Sequence, residues 1–192
     1  MIAIITARRG SKRCLGKNEM TFIELDGRKY TIIDLALDRA RLLEPERIIL
    51  TTDLSLKIPS YVDYLKRDPY LCGDDVTSED VVMDVLDKYE CDSFCLMQPT
   101  TPVPDLVALH DANITFATEG LPALVSINPA YKPNGQFYFC RTDVFREEKT
   151  FFPEGCAFWM TDWRNSVDID YIYDFRVAQA FVGGLIYGDE DI

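Results

Sequence analysis

Apolar strands and amphipathic helices alternate along the first half of the chain. Short, continuously apolar and β-branched runs at Ile2–Thr6, Arg47–Thr52 and Ser93–Met97 are typical of parallel strands that are covered on both faces. Between these runs, apolar residues recur at helical spacing in Ile32–Leu43 and Ser78–Tyr89. The order predicts repeated βα units with right-handed crossovers and a sheet whose strands are mostly parallel.

The remaining pattern extends the same architecture. Further strands are predicted at Tyr61–Leu65, Ala123–Ile127, Gln136–Cys140 and Ala157–Met160, and further helices at Asp105–Thr118 and Asp170–Val182. No repeat, low-complexity stretch or linker interrupts the pattern. We therefore predict an α/β protein with one domain over residues 1–192, an open, mostly parallel, Rossmann-like sheet flanked by helices.

Composition narrows the classes of function. The net charge of −12, from 20 basic and 32 acidic residues, disfavours a general nucleic-acid binder. No apolar run approaches the length of about 20 residues that a membrane span requires, so no membrane association is expected. The N-terminus lacks the basic region of a signal peptide, which predicts a cytoplasmic protein. The six cysteines form no CxxC pair and His110 is the only histidine, so reduced, mostly buried thiols are expected rather than a metal knuckle.

The loop after the first strand, residues 8–18, departs from this acidic average. It holds five basic residues and no acidic one: Arg8, Arg9, Lys12, Arg13 and Lys17. Gly10 and Gly16 allow backbone N–H groups to approach an anion, and Ser11 adds a hydroxyl donor. Such a loop at the carboxyl end of a strand favours polyphosphate binding, although a solvated basic loop is the alternative. It is neither a Walker A loop, because Asn18 follows Lys17, nor a GxGxxG loop.

Six motifs in the same order give the chain a resemblance to a known family. The run Ile4-Ile-Thr-Ala-Arg-Arg-Gly-Ser-Lys with the later Lys17-Asn18 resembles I-P-A-R-x-G-S-K and K-N, the opening signature of the acylneuraminate cytidylyltransferases. The other five family motifs are S-T-D, R-P-x-x-L-A-x-D-x-A-S-S-x-D, L-L-Q-P-T-S-P-L-R, Y-R-P-N-G-A-I-Y and S-V-D-I-D-x-x-x-D. They are matched by Thr51-Thr-Asp, Arg67 through Asp80, Leu96 through Pro102, Tyr131 through Tyr138, and Ser166 through Asp174.

The resemblance implies a nucleotidyltransferase sheet and a CTP site. Arg8, Ser11 and Lys17 would hold the triphosphate beside Gly10, with Asn18 near the nucleoside. Arg67 would read cytosine and Ser78 would lie near the ribose. The residues Gln98, Thr100, Lys132, Asn134, Phe151 and Phe152 match the acceptor pocket in kind, although the two phenylalanines could equally belong to the core.

Asp168 and Asp170 form a D-x-D pair that suits a divalent cation. Hard carboxylate oxygens at this spacing fit Mg²⁺ held jointly with substrate phosphates. A solvated pair at the start of a helix is the alternative interpretation. With the resemblance, the Mg²⁺ site is preferred, and Arg8, Lys17 and Asp170 become the catalytic candidates.

Three departures from the family pattern fall on the acceptor side. Val103 follows Pro102 where the pattern has leucine and then arginine, and Lys132 replaces the arginine before P-N-G. Ser126-Ile127 runs almost directly into Tyr131, whereas the family has a long segment that helps to build the dimer interface and one wall of the sugar pocket. The family's homodimer therefore cannot be assumed for this chain.

The resulting expectation is transfer of CMP from CTP to a nonulosonic or related 2-keto sugar acid, with release of pyrophosphate. Two alternatives stay open at this point. One is a CTP-binding module or pseudoenzyme that has lost its acceptor site. The other is a cytidylyltransferase for 3-deoxy-manno-octulosonate (Kdo) or a smaller acid.

Overall fold

The computed structural model describes residues 1–187, the last three by their backbone alone. Its strands are β1 Ile2–Ala7, β2 Ile23–Leu25, β3 Arg28–Tyr30, β4 Arg47–Thr52, β5 Val62–Lys66, β6 Ser93–Met97, β7 Ala123–Ile127, β8 Pro133–Arg141 and β9 Ala157–Met160. Its α-helices are α1 Ile32–Arg41, α2 Ser78–Leu86, α3 Leu106–Glu119, α4 Thr142–Glu148 and α5 Ile172–Tyr187. The single-domain prediction also covered residues 188–192, which lie outside the described residues.

Seven strands form one sheet in the order β5-β4-β1-β6-β8-β7-β9. Neighbouring strands are parallel except at β8, which is antiparallel to both β6 and β7. The predicted α/β class and the mostly parallel, helix-flanked sheet are thus confirmed. β1 lies between β4 and β6 and is buried along its length apart from a half-buried Thr6, as its continuous apolar run predicts.

Two apolar layers cover the two faces of the sheet. One contains Ala3 and Ile5 of β1 and packs on α1 and α3, and the other contains Ile2 and Ile4 and packs on α2 and α4. A third cluster, which includes Cys14, Phe22 and Phe175, anchors the basic loop against α5. The buried side chain of Cys14 therefore attaches the basic loop to the apolar cluster.

Several elements differ from the sequence expectations. The β2–β3 hairpin and α4 were not predicted, because both are short and carry many polar or charged residues. α5 begins at Ile172 rather than Asp170, since the Asp174 carboxylate accepts the N–H groups of Asp170 and Tyr171 and ends the preceding extended segment.

Candidate active site

A cavity of about 670 Å³ opens at the carboxyl ends of β1 and β6. This is the topological switch point, because the chain leaves β1 toward β4 on one side and β6 lies on the other. Ten of the residues singled out from the sequence line it: Arg8, Ser11, Lys17, Asn18, Arg67, Ser78, Gln98, Thr100, Asp168 and Asp170. Gly10, Lys132, Asn134, Phe151 and Phe152 do not.

Lys17 lies deepest among the basic residues of the loop. The turn that presents it uses Gly16 at a φ of +69°, a conformation that favours glycine. The Lys17 ammonium is buried and donates a hydrogen bond to the Ile169 carbonyl, so it sits between the loop and the D-x-D segment. Burial lowers the pKa of Lys17, and the carboxylates of Asp168 and Asp170 oppose that shift.

Three outer basic residues of the loop form ion pairs with carboxylates. Arg8 donates to the Gly73 carbonyl at 2.8 Å and pairs with Asp74 at 3.1 Å, and Lys12 pairs with the same carboxylate. Arg13 pairs with Asp170 at 2.8 Å. The loop after β5 and the D-x-D segment thus supply the anionic partners of Arg8, Lys12 and Arg13.

Two residues that line the cavity, Arg67 and Asn18, have buried polar atoms without partners. Arg67 is buried and donates from Nη2 to the Thr51 carbonyl at 3.0 Å, while its Nε has no partner. Desolvation lowers the pKa of Arg67. Asn18 donates to the Arg8 carbonyl at 2.9 Å, and its own Oδ1 is buried without a partner. Unsatisfied buried donors and acceptors at a cavity wall are the groups that a polar ligand would satisfy.

Ser78 opens helix α2, whose N-terminus contributes Thr77, Ser78 and Val81 to the cavity wall. The Thr77 side chain accepts from the Asp80 backbone, and the Asp80 carboxylate accepts from the Thr77 backbone in return. This capping box fixes where the helix starts. The partial positive charge of a helix N-terminus favours anionic or polar ligand groups nearby.

Asp168 and Asp170 both line the cavity. Partial desolvation raises the pKa of Asp168, and the Asp170 carboxylate adds to the shift, whereas a hydrogen bond with Thr100 and the charge of Lys17 oppose it. A bound cation would relieve this strain on the ionised form, so the donor set fits a divalent metal. No group of three or more His, Cys, Asp or Glu side chains suited to a metal occurs within residues 1–187, so phosphate and water oxygens would complete the coordination.

Of the residues predicted to bind the acceptor, some line the cavity and others lie outside it. Gln98 and Thr100 line the cavity, and Gly135 approaches Gln98 so closely that a Cβ there would lie 2.4 Å from Gln98 Oε1. Lys132 is exposed outside the cavity. Asn134 is buried and donates to Thr161 Oγ1 at 2.6 Å and Ser166 Oγ at 3.2 Å. Asn134 therefore braces the segment that leads to Asp168.

The two phenylalanines have different environments. Phe151 is buried, with ring centroids 4.9 Å from Tyr138 and 5.0 Å from Phe145, so its place is in the core. Of the two interpretations left open for Phe151, the core describes its surroundings, as expected of a large apolar side chain. Phe152 is 42% exposed and meets Tyr138 edge to face.

Sequence reasoning gave no role to Asp74, Thr77 or Arg39. Asp74 and Thr77 lie inside the quoted Arg67–Asp80 motif, and the T-x-x-D spacing from Thr77 to Asp80 is a capping-box signal that could have placed the helix start at the site. His110, expected away from the strand ends, is exposed on α3 and bonds to Asp111 at 2.9 Å. All six cysteines are free thiols.

Curated proteins support the motif-based comparison. No family model matches the chain. The chain is 28% identical to the N-acylneuraminate cytidylyltransferase of Escherichia coli, over 93% of this chain and 51% of that protein. The resemblance to this family is thereby confirmed. It is also 26% identical to the CMP-N,N'-diacetyllegionaminic acid synthase of Legionella pneumophila, over 93% of this chain and 94% of that protein.

The alignments also show how the length of this chain compares with the lengths of its relatives. The chain spans about half the length of the N-acylneuraminate cytidylyltransferases that it matches. The alignment with the Escherichia coli protein runs over 217 residues, more than the 192 residues of this chain, so it contains gaps in this chain. The gaps are consistent with a shortened form.

Solved structures show the same fold. The chain superposes on CMP:2-keto-3-deoxy-manno-octonic acid synthetase complexed with CTP with a TM-score of 0.66 and 14% identity, covering 96% of this chain and 98% of that chain. A Mycobacterium tuberculosis protein in complex with manganese superposes with a TM-score of 0.59 and 17% identity, covering 91% and 96%. The chain therefore shares the fold of these proteins. No helix within residues 1–187 is long and apolar enough to cross a membrane.

Proposed function

We propose that this protein transfers CMP from CTP to a hydroxyl of a nonulosonic or related 2-keto sugar acid and releases pyrophosphate. One observation carries the proposal: a single cavity at the switch point collects the basic loop, Arg67, the α2 N-terminus and the D-x-D carboxylates. The relatives support it, because an N-acylneuraminate cytidylyltransferase and a CMP-diacetyllegionaminic acid synthase both match over 93% of the chain.

On this proposal the basic loop holds the triphosphate. Arg8 and Lys12 exchange the Asp74 carboxylate for phosphate oxygens, Ser11 donates its hydroxyl, and Lys17 supplies a fixed positive charge from below. Arg67 offers donors to the acceptor edge of cytosine, while Asn18 and Ser78 face the nucleoside. These groups position the α-phosphate for in-line attack, which is most of what phosphoryl transfer requires of a protein.

Gln98 and Thr100, which also line the cavity, hold the acceptor. The sugar hydroxyl oxygen bonds to the α-phosphorus and releases its proton to solvent water, while the bond from that phosphorus to the pyrophosphate oxygen breaks. Lys17 and Arg8 stabilise the charge that develops on the departing pyrophosphate. Asp168 and Asp170 would hold Mg²⁺, which when bound supplies further neutralisation of phosphate charge. Phe152 lies outside the cavity and has no part in this scheme. None of these roles requires a dimer.

A pyrophosphate-release assay tests the proposal. The protein is incubated with each of the four nucleoside triphosphates and a panel of acids: N-acetylneuraminate, diacetyllegionaminate, Kdo and smaller 2-keto acids. Release that requires both CTP and one of the sugar acids, and that a chelator abolishes, is the expected result. Equal release with ATP, or release without an acceptor, would contradict it.

A CTP-binding module without turnover is the second candidate. It is favoured by the position of Lys132, whose family counterpart belongs to the acceptor pocket but which here is exposed outside the cavity. CTP binding in a calorimeter, with no pyrophosphate released across the whole acid panel, would select this candidate.

A further inference from the structure

Arg39 is a buried cation outside the cavity. It lies in the last turn of α1, only 5% exposed, on the helix face that also buries Ala36 and Ala40. No carboxylate lies within salt-bridge distance of it among residues 1–187. A buried charge without an anion is costly unless hydrogen bonds satisfy it, and those of Arg39 come from Nη1 and Nη2, while its buried Nε has no partner.

The Arg39 guanidinium bonds to the loop that follows β6. Nη1 donates to the Thr101 carbonyl at 2.8 Å and to Gln136 Oε1 at 2.9 Å, and Nη2 donates to the Gln98 carbonyl at 3.3 Å. Both carbonyls belong to the 98–101 loop, whose residues Gln98 and Thr100 line the cavity. Arg39 thus holds this loop from behind. Burial lowers its pKa to about 10, which leaves it charged at neutral pH.

Gln136 extends the same network to the carboxylate segment. Its Nε2 donates to the Val103 carbonyl at 2.8 Å and to the Asn165 carbonyl at 2.6 Å, and Asn165 lies just before Asp168. The 98–101 loop also contacts that segment directly, since the Ile169 N–H donates to the Thr100 carbonyl at 2.8 Å. Two cavity walls, the acceptor loop and the D-x-D segment, therefore share one network.

We propose that Arg39, acting through Gln136 and the 98–101 loop, is the positioning residue that sets the acceptor loop relative to the D-x-D carboxylates. The expected change in the acceptor KM rests on the proposed function. The expected change in hydrogen exchange rests on the geometry alone. The groups assigned to the nucleotide lie in the loops after β1 and β5 and at the start of α2, and they receive no hydrogen bond from Arg39 or Gln136.

The side-chain types fit this role. A planar guanidinium can donate to three acceptors in fixed directions, whereas a lysine ammonium at the end of a flexible stem cannot reproduce the fork. Gln136 stands where the family motif Y-R-P-N-G-A-I-Y has alanine, so the network is specific to this chain relative to that motif. An alanine at this position could neither accept a hydrogen bond from Arg39 nor donate one to the Asn165 carbonyl.

The kinetic test compares Arg39→Met and Arg39→Lys with Arg41→Met. Arg41 is on the same helix and carries the same charge, but it is exposed with its guanidinium over the Tyr61 ring. For both Arg39 variants we expect the acceptor KM to rise about 10- to 100-fold, the range of a lost hydrogen bond to a charged group. The calorimetric Kd for CTP should change by less than about 2-fold, and Arg41→Met should behave as the wild type.

Hydrogen exchange supplies a readout that needs no turnover. The Ile169 amide should lose protection in Arg39→Lys, while amides of β1 and β4 keep theirs. Should Arg39→Met fail to fold, Arg39→Lys and Gln136→Ala carry the test. Gln136→Ala should raise the acceptor KM, and the Arg39→Lys/Gln136→Ala double variant should be less impaired than the product of the single effects, because the two residues act in one network.

The outcomes separate this inference from the proposed function. A parallel loss of CTP affinity and acceptor affinity in Arg39→Lys would overturn the positioning role, as would unchanged Ile169 protection. If the wild type turns over no acceptor at all, the proposed function fails, and the hydrogen-exchange comparison still decides the positioning role.

Discussion

The two halves of the sheet differ in how many of their predicted site residues line the cavity. In the parallel half, β5-β4-β1-β6, the loops that follow β1, β5 and β6 deliver Arg8, Lys17, Arg67 and Gln98 to one cavity. In the half formed by β8, β7 and β9, Lys132 stays outside and Phe151 joins the core. Parallel strands bring their carboxyl ends to one edge, and the antiparallel β8 brings its first residues to the same edge, where the Gln98 N–H donates to the Gly135 carbonyl. A position at this edge is therefore not enough to place a side chain in the cavity.

The sharpest contrast within the second half is between adjacent phenylalanines. We expect Phe151→Ala to lower the free energy of unfolding by about 3–5 kcal/mol, because it leaves a cavity among buried aromatic rings. Urea denaturation followed by tryptophan fluorescence measures it. Phe152→Ala, at the half-exposed neighbour, is the matched control and should cost much less. Equal losses would show that the two side chains do not divide between core and surface.

Removing a carboxylate from the site should mainly affect catalysis. Asp170→Asn is expected to lower pyrophosphate release about 10²- to 10³-fold, the usual effect of losing one preorganised charge-stabilising group. Asp162→Asn changes an exposed aspartate of the same segment outside the cavity and should leave the rate nearly unchanged. A rate for Asp170→Asn within a few-fold of the wild type would remove the D-x-D pair from the mechanism.

On the proposed function, Arg67 is the residue of the parallel half that recognises the base. Arg67→Met should weaken CTP binding about 10- to 100-fold, because hydrogen bonds to a charged donor are lost. Arg47→Met, on the neighbouring β4 and paired outside the cavity with Asp63, is the control. Calorimetry with CTP and UTP checks the result. Unchanged affinity for CTP would mean that the nucleoside lies elsewhere.

The smallest effect is expected at Lys132. Because its side chain is exposed outside the cavity, Lys132→Ala should change the acceptor KM by less than about 2-fold, as surface substitutions away from a site do. Steady-state kinetics with a saturating CTP concentration measures this. A rise of 10-fold or more would show that the second half of the sheet also reaches the acceptor.

The sequence predicted the parallel half well because local signals were sufficient there. Continuous apolar runs marked β1, β4 and β6, and the loops that follow strands could be assigned to one edge without knowing any contact. The direction of β8 could not be predicted, because an antiparallel strand inside a mostly parallel sheet leaves no mark on its own residues. The role of Arg39 could not be predicted either. Its position in the helical pattern of α1 is ordinary, and only the fold brings it to Thr101 and Gln136.

The carboxylates that hold Arg8, Lys12 and Arg13 have a consequence for the energetics of the site. These cations already have anionic partners, so an arriving triphosphate exchanges one set of charge pairs for another. Fewer small ions from the solvent are released in such an exchange than five free cations would release. The affinity for a polyphosphate should accordingly depend on ionic strength less steeply than the charge of the loop suggests. Acidic residues of the protein thus act as internal counterions of the basic loop.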